Sequence, residues 1–291
     1  MNRKDFLKSM AILPLTGMVM NLNKLSALTG SYESTANMPV LFVGHGSPMN
    51  AIEQNEFTKG WQSVTKSLPK PKAILCISAH WETRGTFVTA MAKPPTIHDF
   101  GGFPPELFAV QYPAPGDAEL AKETKNLVGK TGVGLDEKWG LDHGAWSVLK
   151  VMYPDADIPV IQLSLDYTQS PQYHYDLAKE LASLRKKGIL IIGSGNMVHN
   201  LRILDWNKTD QGFDWAQEAS AKFRKLIVEN DHNQLINYRE LGHAVELAVP
   251  SPEHYLPLLY ALAVKEETEE ISFFNDKTVM GSISMTSIRI G

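Results

Sequence analysis

From Met38 onward, short continuous apolar runs alternate with stretches whose apolar positions recur every three or four residues. Runs that short read as buried strands, and the 3.6-residue recurrence reads as amphipathic helix. Strands are expected at 39–43, 73–78, 159–165 and 189–192, and 280–290 alternates like a final one. Helices are expected at 57–68, 117–128, 144–152, 173–186, 214–230 and 251–264, with Gly188 as a stop signal before the strand that follows it. Strands separated by helices predict an α/β single domain, a central mixed sheet with helices on both faces. No internal repeat, low-complexity stretch or long linker interrupts 38–291, so this span reads as one catalytic domain. In such sheets the chemistry collects just beyond the carboxyl ends of the strands.

That rule selects residues. Val43 runs into Gly44-His45-Gly46, Ile77 into Ser78-Ala79-His80, and Ile192 through a glycine-containing turn into His199. Nine histidines are scattered along the chain, and these three share equivalent strand ends. His254 belongs to a different setting. Ser251 is a good N-cap and Pro252 fits the first helical position, which places His254 in the first turn of a helix. The helix dipole disfavours a cation there, so the imidazole is expected neutral, the form that binds metal. His143 precedes another helix, and Asp142 either orients it or caps that helix. His98 lies in a long loop of the kind that shapes a pocket. Trp81, next to His80, is expected to shield one wall of the site, and the aromatics Trp81, Phe100, Trp146 and Tyr255 favour a small aromatic substrate. His174, His232 and His243 are expected on the solvent side.

Composition narrows the chemistry. Hydrophobic residues are 43% and charged residues 21%, with a formal net charge of −4, and no run of basic and aromatic residues suggests a nucleic-acid partner. Cys76 is the one cysteine, so a disulfide framework and a thiolate zinc knuckle are both excluded. It sits in the apolar run 73–77, where it reads as a buried strand residue. A Gly-x-Ser-x-Gly elbow, a P-loop and a dinucleotide fingerprint are all missing from the sequence. What remains is a divalent metal held by histidine, and imidazole suits both Zn2+ and Fe2+. The N-terminal segment 1–37 differs from the rest: Arg3-Lys4 precedes an apolar stretch from Met10 to Leu22 that is too short to span a bilayer. Its opening resembles a twin-arginine export signal with Lys4 in place of the second arginine, which predicts a periplasmic protein whose mature chain begins between Ser26 and Met38. The alternative is a cytoplasmic protein with an amphipathic N-terminus.

Several motifs occur together and in order: Gly44-His45-Gly46-Ser47-Pro48, Ser78-Ala79-His80-Trp81, Thr96-Ile97-His98-Asp99-Phe100-Gly101-Gly102-Phe103-Pro104, Leu141-Asp142-His143-Gly144-Ala145-Trp146, Asn196-Met197-Val198-His199-Asn200 and Pro252-Glu253-His254-Tyr255. With them the chain resembles the DOPA-type branch of the class III extradiol ring-cleavage dioxygenases, from Met38 to Gly291. The resemblance implies that His45, His80 and His254 bind one divalent metal, with His199 as acid–base residue or fourth ligand. It implies that His143 helps to bind oxygen or substrate. The pocket-loop His98 and the aromatics Trp81 and Tyr255 are expected at the substrate. The implied reaction opens a catechol ring with dioxygen; on L-DOPA, cleavage between carbons 4 and 5 gives a seco-aldehyde that can close to a betalamic-type ring. The broader class completes its ligand set with a carboxylate where this branch has His254. Three neutral ligands also suit zinc, so a zinc-dependent enzyme of another reaction type and a non-catalytic metal-binding module remain as alternatives.

Overall fold

The computed structural model describes Tyr32 and residues 35–129 and 131–291, so most of the expected signal-like segment lies outside the described residues. The span Ser34–Gly291 forms one compact unit. Among the described residues no helix is long and apolar enough to cross a membrane.

The strands and helices follow in chain order as β1 (Val40–Gly44), α1 (Glu56–Ser67), β2 (Ala73–Thr83), β3 (Thr86–Thr89), α2 (Pro105–Phe108), α3 (Ala118–Leu127), β4 (Val133–Asp136), α4 (His143–Met152), β5 (Val160–Asp166), α5 (Pro171–Glu180), β6 (Ile189–Gly195), α6 (Asp214–Val228), α7 (His232–Ile236), α8 (His243–Ala248), α9 (Leu256–Ala263), β7 (Ile271–Phe274), β8 (Thr278–Val279), β9 (Ile283–Ser284) and β10 (Ser287–Ile290). Eight strands form one sheet in the order β4-β3-β5-β2-β6-β1-β10-β7. Its centre, β5-β2-β6-β1, is parallel, and β10 joins β1 antiparallel, so the sheet is mixed as expected.

Strand β6 shows how the helices cover both faces. Successive strand residues point to opposite sides. Gly193 and Gly195 face the carbonyls of Pro257 and His254 on the α9 side so closely that a Cβ at either position would collide with them. Ser194, between them, points the other way and donates its hydroxyl to Gly144 O of α4 at 2.6 Å. Helices α9 and α4 therefore sandwich the sheet at the carboxyl ends of β2, β6 and β1. Trp61, Trp146, Leu41, Leu190 and Ile192 are among the fully buried residues of the core beneath.

Several elements differ from the pattern-based expectation, among them the final strand expected at 280–290, which splits into β9 and β10. Strand β2 runs through His80 rather than stopping before it, yet its ladder with β5 jumps from the Ile77–Leu163 pair to the Glu82–Leu165 pair. The residues between, Ser78 to Trp81, bulge out of that ladder, and a bulge of this kind re-aims side chains. The expected helix at 251–264 begins only at Leu256. His254 lies in the preceding turn because its carbonyl accepts Asn196 N–H at 2.9 Å, which ties the turn to the end of β6. The expected helix at 173–186 stops at Glu180 and continues as the 3-10 turn Ala182–Lys187, closed by Gly188 at φ 79°. Strands β3, β4 and β7 have four residues each and were not anticipated.

Candidate metal centre

His45 leaves the carboxyl end of β1 with its backbone N–H held by Gly195 O at 3.2 Å. Its Nδ1 lies 3.0 Å from Ser194 Oγ. Ser194 has one hydroxyl proton and gives it to Gly144 O, so it must accept from His45 Nδ1–H. His45 Nε2 is therefore the bare nitrogen. It stands 3.2 Å from His80 Nε2. His254 Nδ1 lies 3.3 Å from Glu253 Oε1, an oxygen that also accepts from Ser251 Oγ at 2.9 Å. A carboxylate oxygen there fixes the proton on Nδ1 and leaves Nε2 bare. His80 Nδ1 faces Asp99 Oδ2 at 3.7 Å, too long for a hydrogen bond but close for a charge.

The three rings stand at the corners of a nearly equilateral triangle, with centroids 5.0, 5.2 and 4.9 Å apart. One ligand atom from each lies within 4.8 Å of the others. This donor set fits a divalent metal. In His45 and His254 Nδ1 is held by an oxygen that orients the ring, the arrangement metal-binding histidines adopt. The ligands are neutral, but the carboxylates of Asp99 and Glu253 stand immediately behind His80 and His254 and offset part of a 2+ charge.

The electrostatics keep the set unprotonated. Burial, followed by the neighbouring imidazoles, pushes His45 and His254 well below the ordinary histidine range. Burial and then His143 lower His80 to about 3, against the pull of Asp99 and Glu253. Neutral imidazoles accept a metal at neutral pH without first losing a proton.

Around the triangle the other expected residues divide. His199 is stacked flat on His254, with centroids 3.4 Å apart and planes within 8°. Its backbone N–H is held by Ala248 O at 2.8 Å. Burial, opposed by Glu253, lowers it to about 4, so it is present as a proton acceptor. His143 opens α4 and lies against His80 with centroids 3.8 Å apart. Asp142 caps α4, accepting Ala145 N–H at 3.1 Å, and the Asp142 carboxylate is further held by Ser78 and Gln162. Burial raises Asp142 above the ordinary carboxylate range, with the nearby Asp99 adding to it. The residue that orients His143 is Asp99, not Asp142: His143 Nδ1 is 2.9 Å from Asp99 Oδ2, and His143 N–H donates to Asp99 Oδ1 at 2.8 Å.

Two of the three expected substrate contacts take other places. Trp81 follows His80 along the strand and stacks on Trp139, 5.8 Å away and 4° from parallel, rather than on the histidine rings. Tyr255 is a correction: its hydroxyl donates to Leu235 O at 2.8 Å and its ring packs on Phe223 and Tyr238. It is fully buried, core rather than substrate wall. His98 bonds Val110 O through Nε2 at 3.0 Å and packs on Phe100, whose ring stands edge-on to His143 at 5.5 Å. His98 is thus one ring removed from the triangle. His243 is exposed and His232 half-buried, whereas His174, also expected on the surface, is fully buried. Asp99, Glu253 and Ser194 were not singled out from sequence, although Asp99 and Glu253 each stand next to a residue that was.

Known proteins resemble this chain over most of its length. The 4,5-DOPA dioxygenase extradiol of Escherichia coli K12 is 47% identical over 267 residues, covering 89% of this chain and 96% of the relative. The protein of that name from Beta vulgaris is 37% identical, covering 85% of this chain and 94% of its own. The crystal structure of an uncharacterized protein from Escherichia coli K12 superposes with a TM-score of 0.74 at 42% identity, covering 87% of this chain and 100% of that one. Residues 38–287 match the family described as the catalytic LigB subunit of aromatic ring-opening dioxygenase. The chain belongs to that family and is an extradiol-type aromatic ring-opening dioxygenase.

Proposed function

We propose that this chain opens the ring of a DOPA-like catechol between carbons 4 and 5 with dioxygen, at one ferrous ion held by His45, His80 and His254. The observation that carries the reading is the triangle of imidazoles, two of them with Nδ1 bound to an oxygen and Nε2 left bare. Relatives named for the same reaction on DOPA support the substrate class. Bound there, ferrous iron supplies the redox-active centre at which catechol and dioxygen meet. His199, neutral and stacked on His254, takes a catechol proton and returns it to the leaving oxygen. His143, close against His80, helps to bind the oxygen or the substrate. Phe100 and His98 form the aromatic side that receives the substrate ring.

Anaerobic loading with Fe2+, followed by oxygen uptake and yellow product absorbance across a panel of catechols, tests this reading. Uptake with DOPA and its close analogues is expected. The zinc reading rests on the same set of three imidazoles, and a fully iron-loaded protein that leaves every catechol intact would favour it. We assign 1–37 to an export signal and linker and 38–291 to the catalytic domain, on the basic start and apolar stretch of the N-terminus. N-terminal sequencing of protein from the native host is expected to begin between Ser26 and Met38; a chain that begins at Met1 or Asn2 would refute export by this route.

A further inference from the structure

Asp99 is the part of this site that pattern and motif leave without a role, and its geometry is specific. Its residue lies in an exposed loop, yet its side chain is only 18% exposed and turned inward. Both carboxylate oxygens engage one residue. Oδ1 accepts the backbone N–H of His143 at 2.8 Å, and Oδ2 stands 2.9 Å from His143 Nδ1. The first bond places a carboxylate on an unpaired N–H at the start of α4, where the helix dipole favours it. The second fixes a proton, because an ionised carboxylate only accepts. Nδ1 must carry a hydrogen, and in the neutral imidazole Nε2 is then bare. The same Oδ2 faces His80 Nδ1 at 3.7 Å, so one oxygen sits between an expected metal ligand and the non-ligand histidine whose ring lies 3.8 Å from it.

We propose that Asp99 is a positioning residue for ring opening: it locks the ring of His143 and its Nδ1–H tautomer, so that His143 faces the bound substrate and oxygen with an accepting Nε2. The inference rests on the ring-cleavage reading for its catalytic consequence, but the tautomer itself does not. An asparagine tests it sharply. With its Oδ1 kept on the His143 N–H, the Asp99→Asn amide turns an NH2 toward Nδ1. The ring proton must then move to Nε2, and the acceptor becomes a donor. The logic is that of a triad aspartate replaced by asparagine, where geometry survives and the tautomer is wrong.

The experiment is 15N-resolved imidazole NMR of zinc-loaded protein, with the His143 signals assigned by their loss in His143→Gln, combined with steady-state kinetics of the iron-loaded enzyme. Wild type is expected to show His143 protonated on Nδ1, and Asp99→Asn to show it protonated on Nε2. The variant should lose about 100-fold or more in kcat, with KM for the catechol within about threefold, the range set by misplacing one proton-handling group. A wild-type His143 protonated on Nε2 overturns the proposal even if the variant does not fold. A metal-loaded Asp99→Asn with wild-type kcat overturns it as well. Failure of the wild-type enzyme on every catechol, with the Nδ1–H tautomer in place, counts against the substrate reading and not against the role of Asp99 in setting the tautomer.

Discussion

Two buried histidine environments in this molecule share a physical cause and differ in consequence. His174, on α5 where that helix packs against α9, is fully buried, with Nδ1 3.0 Å from Tyr260 Oη. Burial lowers its pKa to about 4 against the opposing pull of Asp166, much as burial lowers His80 to about 3 and His199 to about 4. By protonation alone the two regions look alike. Their neighbours separate them: the ring contacts of His174 are Tyr173 and Tyr260, whereas the ring of His45 meets those of His80, His143 and His254. A depressed histidine is a packing result. Bare nitrogens converging from different loops, with carboxylates behind them, make a site.

The strongest break of that comparison removes one imidazole from each region. His45→Ala and His254→Ala are each expected to abolish stoichiometric metal binding and, with it, ring opening. His174→Leu is expected to keep metal affinity and turnover, and to cost roughly 1–3 kcal/mol of stability by leaving the Tyr260 hydroxyl without its partner. Isothermal titration with Zn2+ and chemical denaturation read the two effects separately. Loss of metal binding in His174→Leu with the fold intact would erase the distinction.

A smaller effect sharpens the role of the carboxylates. Glu253→Gln removes the charge behind His254 and keeps a carbonyl able to accept its Nδ1–H. Metal affinity is expected to weaken about 10- to 100-fold, the usual range for an outer partner of a metal ligand, with turnover largely retained at saturating metal. Unchanged affinity would mean that the charge of the bound ion is offset elsewhere.

A further effect lies in the acid limb of stability. Unfolded histidine titrates near 6.5, and the folded values of His80, His174 and His199 lie far lower. Between those limits the unfolded chain binds protons that the native chain does not. Stability is therefore fully present above about pH 6.5 and is lost as pH falls toward the folded values. The share of His174 alone is roughly 3 kcal/mol at neutral pH. His174→Leu should flatten the pH dependence of metal-free protein between about pH 6 and 4 by close to one proton. An unaltered slope would show that His174 titrates normally in the fold.

The legible parts of the fold were those with a long periodic signal. Helix α4 with Asp142 before it, helix α6 and the central strands β1, β5 and β6 appear close to where their patterns place them. The edge strands β3, β4 and β7 were not legible, because four residues carry too little alternation to stand out. The site divides in the same way. His45, His80 and His199 are marked by strand ends, and His254 and His143 by the motifs around them. Asp99 and Glu253 carry no periodic mark, since a loop carboxylate is recognised by what it reaches in space. Tyr255 was misread because an aromatic side chain alone does not distinguish a pocket wall from the core, and its hydroxyl bond to Leu235 O holds it in the core.

The most direct test of the central claim is an anomalous-scattering map from crystals of this protein loaded anaerobically with Fe2+ or with Zn2+. One peak per chain is expected, bonded at about 2.0–2.1 Å to Nε2 of His45, His80 and His254, the usual metal–imidazole length. A peak bound through Nδ1 atoms, or one held by His80, Asp99 and His143 instead, would contradict it.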